Sequence, residues 1–197
     1  MPFLDADGLR ALGLAACGED VLIDADARIL GAERVRIGDH VRIDAFTVMS
    51  AGREGITVGD HVHVAAHCFL AGAAHIQLDD FCGVSGRSSI YSSTDDFSGR
   101  SLTGPTIPDD LTAVDSRPVR VGRHVVVGAG SIVLPGVTLA DGSAVGAQSL
   151  VREDVEPFTI VAGSPARPIA ARDRRLLALE RELRERERSV EREERSQ

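Results

Sequence analysis

Two adjacent carboxylates, Asp95 and Asp96, follow Ser92, Ser93 and Thr94 in a stretch rich in small polar residues. A carboxylate among hydroxyls can take a proton from an incoming nucleophile if burial or a neighbouring charge tunes it. Successive side chains on an extended backbone face opposite ways, so at most one of the pair points into a common cleft. A polar turn accounts for the two equally well. His75 is the other acid–base candidate. The run His61-x-His63-x3-His67 has the residue types of a metal site, and Cys17, Cys68 and Cys82 are scattered without CxxC spacing. All 22 basic residues are Arg. The lack of Lys excludes a Schiff-base lysine, a pyridoxal-phosphate lysine and a Walker-type P-loop.

The elements that must position these residues come from a chain of 197 residues, long enough for one domain with a real core. The net charge of −8 argues against wrapping nucleic acid or coating an anionic membrane. Residues 171–197 carry 9 Arg against 8 acids, so the excess of acid lies in residues 1–170. No apolar run approaches the ~18–20 residues of a membrane span. The start, MPFLDADGLR, lacks a signal-peptide pattern, and three odd cysteines suit a reducing compartment, so the expected location is cytoplasmic. Aromatics are only 4%, which leaves the core to Val, Ile, Leu and Ala.

An internal repeat dominates the chain. The segments 35–43 (VRIGDHVRI), 56–64 (ITVGDHVHV), 76–84 (IQLDDFCGV), 119–127 (VRVGRHVVV) and 137–145 (VTLADGSAV) superimpose, with starts 21, 20, 43 and 18 residues apart. Within them the apolar period is six, as in Ile37, Ile43 and Met49, or Val121, Val127, Val133, Leu139, Val145 and Val151. Helices repeat every three or four residues and ordinary strands every two. A period of six fits a short strand and a sharp corner, three of which close one triangular coil. Stacked coils then pair strands in parallel at about 4.8 Å, and about six coils make a prism roughly 28 Å tall. The expected fold is an all-β parallel β-helix over residues 21–170, with a helical cap at 1–20 and a charged helix or tail at 171–197.

Register assigns roles to several residues. His40, His61 and His124 share one repeat slot and are expected at corners. Neighbours on a coil face different sides, so the three histidines at 61, 63 and 67 converge poorly on an ion, and no metal is expected. His75 and Asp95 each lie five residues beyond a third rung, Leu70 and Ile90, which predicts that they stack at one corner. They form either an acid–base unit or two solvated corner residues. Residues 91–118 interrupt the repeat with three prolines and many polar residues, and they read as a structureless segment acting as a substrate lid or as a solvated insertion. Leu176, Leu179, Leu183 and Val190 form a heptad-like stripe on the tail, suited to an oligomer contact or to a fraying helix.

These repeats, the segment Ala162-Gly-Ser-Pro-Ala-Arg-Pro-Ile169 and the insertion starting at Ile90-Tyr-Ser-Ser-Thr-Asp-Asp resemble the hexapeptide-repeat acetyltransferases. The branch that they resemble is that of sugar and O-antigen acetyltransferases, similar to galactoside and maltose O-acetyltransferases. The resemblance implies a left-handed β-helix, a homotrimer with sites shared between neighbours, and acetyl transfer from acetyl-CoA to a hydroxyl or amine of a sugar. It places Ala129 and Ala147 along the CoA arm and Arg167 near its nucleotide end, with Arg152 a second candidate for phosphate. It also implies a His base in the insertion, where this chain has Asp95 and no His at all. Three routes follow: a tuned Asp95 or Asp96, His75 oriented by Asp95, or an amine acceptor, which needs less help. A non-catalytic assembly or nucleotide-sensing module and a zinc hydratase are the alternatives on the same fold.

Overall fold

The structure, a computed structural model, describes the backbone of residues 2–194 and the side chains of residues 2–189. Its body is a parallel β-helix of about seven turns, close to the six expected. The first face stacks Ala16–Cys17, Val35–Ile37, Ile56–Val58, Ile76–Leu78, Val119–Val121 and Thr138–Leu139. The second stacks Leu22–Ile23, Arg42–Ile43, His63–Val64, Gly83–Val84, Val126–Val127, Ala144–Val145 and Thr159–Ala162, closed by antiparallel Arg167–Ala171. The third stacks Arg28–Leu30, Val48–Ala51, Phe69–Gly72, Ser89–Tyr91, Ile132–Val133 and Leu150–Val151. Coiling begins at Ala16, before the expected boundary at residue 21, and the only helix preceding it is α1, Ala6–Ala11.

The six-residue period is the inward one. Ile37, Val58, Leu78, Val121 and Leu139 are all buried in one column, and Leu78 pairs directly with Val121 across the insertion. Cys82 takes the place of a corner valine, and burial pushes its thiol far up, which makes it inert packing. We expect Leu78→Ala to cost about 2–5 kcal/mol in urea unfolding, because stacked coils cannot collapse onto the cavity. A loss below 1 kcal/mol would contradict the column.

The three corners differ in what they carry. At the first, between the first and second faces, His40, His61, Phe81 and His124 adopt φ of 56–59° and their rings stack at 4.6–5.1 Å. The stack offsets a backbone conformation that side chains usually avoid. The C-terminal helix α2, Leu176–Glu194, lies on this column. It docks through polar residues: Glu180 pairs with His124 (2.8 Å), Arg123 and Arg184, and the Arg184 guanidinium lies 5.0 Å over the Phe81 ring. Burial pushes the Glu180 carboxyl up, but the hydrogen bonds from Arg184 and His124 and the charge of Arg123 outweigh it, holding the group at about 2. Leu179 and Leu183, from the expected stripe, are exposed instead, and the Val190 side chain lies outside the described residues.

The insertion at the third corner is folded, not structureless. Ser93–Thr94 pairs antiparallel with Asp115–Ser116, Leu102 bridges Thr112, and Asp109–Leu111 forms a 3-10 turn.

Candidate active site

The second corner, between the second and third faces, carries small residues at Gly86, Ala129 and Ala147. The residue just after each strand of the second face donates its N–H to the next coil: Ala65 to Val84, Ser85 to Val127, Gly128 to Val145 and Gly146 to Val161, at 2.7–2.9 Å. Those donors are spent. The residues just after them, Gly86, Ala129 and Ala147, donate to no acceptor among the described residues. Ala129 and Ala147 are exposed and lie one coil apart, linked by Gln148 N–H to the Ala129 carbonyl (2.8 Å). A row of unused N–H groups on small residues can hold amide carbonyls of a thin ligand arm, or an oxyanion.

Ser85 begins the turn that contains Gly86, and sequence reasoning passed over it. Its hydroxyl makes no hydrogen bond among the described residues. The available signal was its slot: along Asp24, Asp44, Ala65, Ser85, Gly128 and Gly146 it is the one hydroxyl, directly before the glycines.

At the C-terminal end of the prism Arg152 and Arg167 converge on Glu153, at 3.5 and 3.7 Å, around a concavity of about 290 Å³. Asp154 and Glu156 also line it, so the two guanidiniums, and not a net positive charge, are what it offers a phosphate. Arg167→Ala is expected to raise the KM for the acyl donor at least fivefold with kcat nearly unchanged; an unchanged KM would remove Arg167 from the site.

The two adjacent carboxylates part company at the third corner. Asp96 accepts from Ser98 N–H and Oγ and from Ser101 Oγ, each at 2.8 Å, and these bonds lower its carboxyl to about 2. Its oxygens are occupied in shaping the insertion. Asp95 is exposed, makes no described hydrogen bond, and stands on the wall between two concavities of about 510 and 280 Å³. A third cleft, about 860 Å³, runs from Ser50, Gly52 and Arg53 to Thr112 and Ser116 of the insertion, and Val114 borders all three.

His75 does not stack on Asp95. Its Nδ1 lies 2.9 Å from the Glu54 carbonyl and its Nε2 3.2 Å from Gln77 Oε1, which turns the ring toward the first face. The insertion carries Asp95 away: Ile76 pairs with Val119 on the next coil, which sets Pro118 and not Asp95 beside His75. The three histidines at 61, 63 and 67 diverge as expected. His61 joins the first-corner stack, His63 pairs with Asp44 on the second face (2.9 Å), and His67 stacks on Phe46 at the second corner (5.0 Å).

Known proteins share this fold. Residues 118–149 match the family described as the hexapeptide repeat of succinyl-transferase. The chain is 42% identical to a dTDP-4-amino-4,6-dideoxy-D-glucose acyltransferase from Escherichia coli over 180 residues, covering 91% of this chain and 94% of that one. To the galactoside O-acetyltransferase of Escherichia coli K12 it is 36% identical, over 72 residues that span 35% of this chain and 36% of the relative. AntD, an N-acyltransferase from Bacillus cereus solved with dTDP and 3-hydroxybutyryl-CoA, superimposes with a TM-score of 0.91 at 37% identity, covering 94% of this chain and 98% of AntD. AntD has also been solved with single substitutions at an aspartate and at a serine ten positions before it. The chain therefore belongs to the hexapeptide-repeat acyltransferases, in the group that includes the dTDP-amino-sugar acyltransferase, and is itself an acyltransferase.

Proposed function

We propose that this enzyme transfers the acetyl group of acetyl-CoA to the amine of a nucleotide-linked amino sugar, a 4-amino-4,6-dideoxyhexose on dTDP being the reference acceptor. One observation carries the choice of amine over hydroxyl. The similarity to the amino-sugar acyltransferase covers 91% of the chain, whereas that to the galactoside enzyme is confined to about a third. Chemistry agrees. A hydroxyl needs a strong base, and the insertion offers carboxylates and no His. A neutral amine is already nucleophilic, and a carboxylate has only to orient it and receive a proton.

The pantetheine arm would lie along Ala147 and Ala129, with its thioester at Ser85 and Gly86. Attack of the amine nitrogen on the thioester carbonyl forms the C–N bond and moves charge to the carbonyl oxygen. The Gly86 N–H and the Ser85 hydroxyl would receive that charge. Asp95 would take the ammonium proton, the C–S bond would break, and the proton would pass to the departing CoA thiolate. Asp95 and Ser85 are ten residues apart, the same spacing as the aspartate and serine substituted in AntD, which supports pairing these two.

In one chain those residues sit at opposite edges of the third face, about six extended residues or roughly 20 Å apart. The site would thus need a second copy. The outward residues of the first face are polar: Arg36, Thr57, Gln77, Arg120 and Thr138. Those around the second corner include exposed Phe46, Phe69, Val126 and Ile132, an apolar area that calls for a partner. A head-to-tail contact seating one chain's insertion over its neighbour's second corner would close as a ring of three, the homotrimer implied by the family. None of the described helices is long and apolar enough to cross a membrane, and the acyl donor and three unpaired thiols match the cytoplasm.

The test is release of CoA thiol from acetyl-CoA with dTDP-4-amino-4,6-dideoxyglucose, galactosides and maltose as acceptors. Turnover is expected with the amino sugar nucleotide alone. Equal rates with the glycosides would overturn the amine assignment.

A further inference from the structure

His40 and His61 come from successive coils and stack at 4.7 Å with their planes 19° apart. Their backbones share a φ of 56°, which holds both rings at the outer edge of the first corner. Helix α2 brings a carboxylate to the same place, with Glu187 Oε1 at 3.2 Å from His61 Nε2. One donor atom from each of His40, His61 and Glu187 lies within 4.8 Å of the other two. On the far side of His40, Asp20 Oδ2 stands 3.3 Å from Nδ1, where an orienting carboxylate stands behind a metal-bound imidazole.

We propose that His40, His61 and Glu187 bind one divalent ion of the zinc type, completed by water, and that this ion fastens α2 to the first corner. Two imidazoles and a carboxylate are a donor set suited to zinc, and three protein ligands leave a fourth, tetrahedral position to solvent. Bonds of about 2.0–2.2 Å place tetrahedral donors roughly 3.3–3.5 Å apart. His61 and Glu187, at 3.2 Å, lie just short of that spacing. His40 must swing inward, and with 43% of its side chain exposed it has room to do so and leaves the ion a way in. Arg184, one turn before Glu187 on α2, is held by Glu180 at 2.8 Å and Asp80 at 3.6 Å over the Phe81 ring, so its charge is already countered. The site joins three segments distant in sequence and lies at a different corner from the acyl-transfer residues. Its role is structural, and acyl transfer does not pass through it.

The test uses the full chain without a purification tag, stripped with EDTA and titrated with zinc chloride by calorimetry and with cobalt chloride by absorption. One ion per chain is expected, with a tetrahedral cobalt spectrum and slower amide hydrogen exchange in α2 when zinc is bound. Glu187→Gln and His40→Asn should each weaken zinc at least tenfold. Glu180→Gln loosens the helix anchor without removing a ligand and should retain the stoichiometry. Lack of saturation at 1 mM zinc overturns the site, as does wild-type affinity in His40→Asn, which leaves α2 untouched. Acetyl transfer with saturating substrates should be the same with and without EDTA.

Discussion

Asp95→Asn is expected to lower kcat for acetyl transfer to the amino sugar nucleotide at least a hundredfold, with little change in thermal midpoint. General-base assistance is worth about 10²–10⁴. The amide keeps the shape of the carboxylate and removes its capacity to accept a proton, and Asp95 has no described partner whose loss would disturb the fold. Steady-state kinetics on Asp95→Asn, Asp96→Asn and His75→Ala side by side make the assignment specific. Asp96 spends its oxygens on Ser98 and Ser101, and His75 spends its ring on Glu54 and Gln77. Those two variants should act through loop order and stability, with kcat reduced less than tenfold. A fall in His75→Ala as deep as in Asp95→Asn would return the base to the histidine.

The second large effect is complementation between dead variants. Ser85→Ala removes a proposed oxyanion donor, a loss of about 10²–10³ in rate. If each site takes Asp95 from one chain and Ser85 from its neighbour, mixing unfolded Asp95→Asn and Ser85→Ala chains and refolding them together restores intact sites. Random assembly of equal amounts makes about a quarter of the sites wild type at both positions, because each of the two chains has an even chance of being the right one. Recovery near that fraction is the expected result, read as thiol release against each variant refolded alone. No recovery, with mixed oligomers shown to form by mass spectrometry, would place both residues in one chain and undo the shared site.

The β-helix was legible because a coil is a local object. Each turn needs aliphatic residues at fixed six-residue steps and corner residues that accept a left-handed backbone, and Ile37, Ile43, Met49 and the histidines at 40, 61 and 124 are written in that order. The small-residue corner at Ala129 and Ala147 followed from the same count. The arrangement of the insertion did not. Whether two neighbouring aspartates differ depends on which hydroxyls fold back on them, and Ser98 and Ser101 choose Asp96.

What the sequence by itself determined is the solenoid, its core columns and the residue types available for catalysis, since short-range periodicity dictates them. Only the tertiary structure decided which corner N–H groups remain unspent, which ring nitrogens are occupied, and that α2 docks by its charged face and leaves Leu179 and Leu183 exposed. Most of those outcomes depend on contacts between residues about fifteen to over a hundred positions apart, such as His61 with Glu187, and no local pattern encodes a distance of that kind.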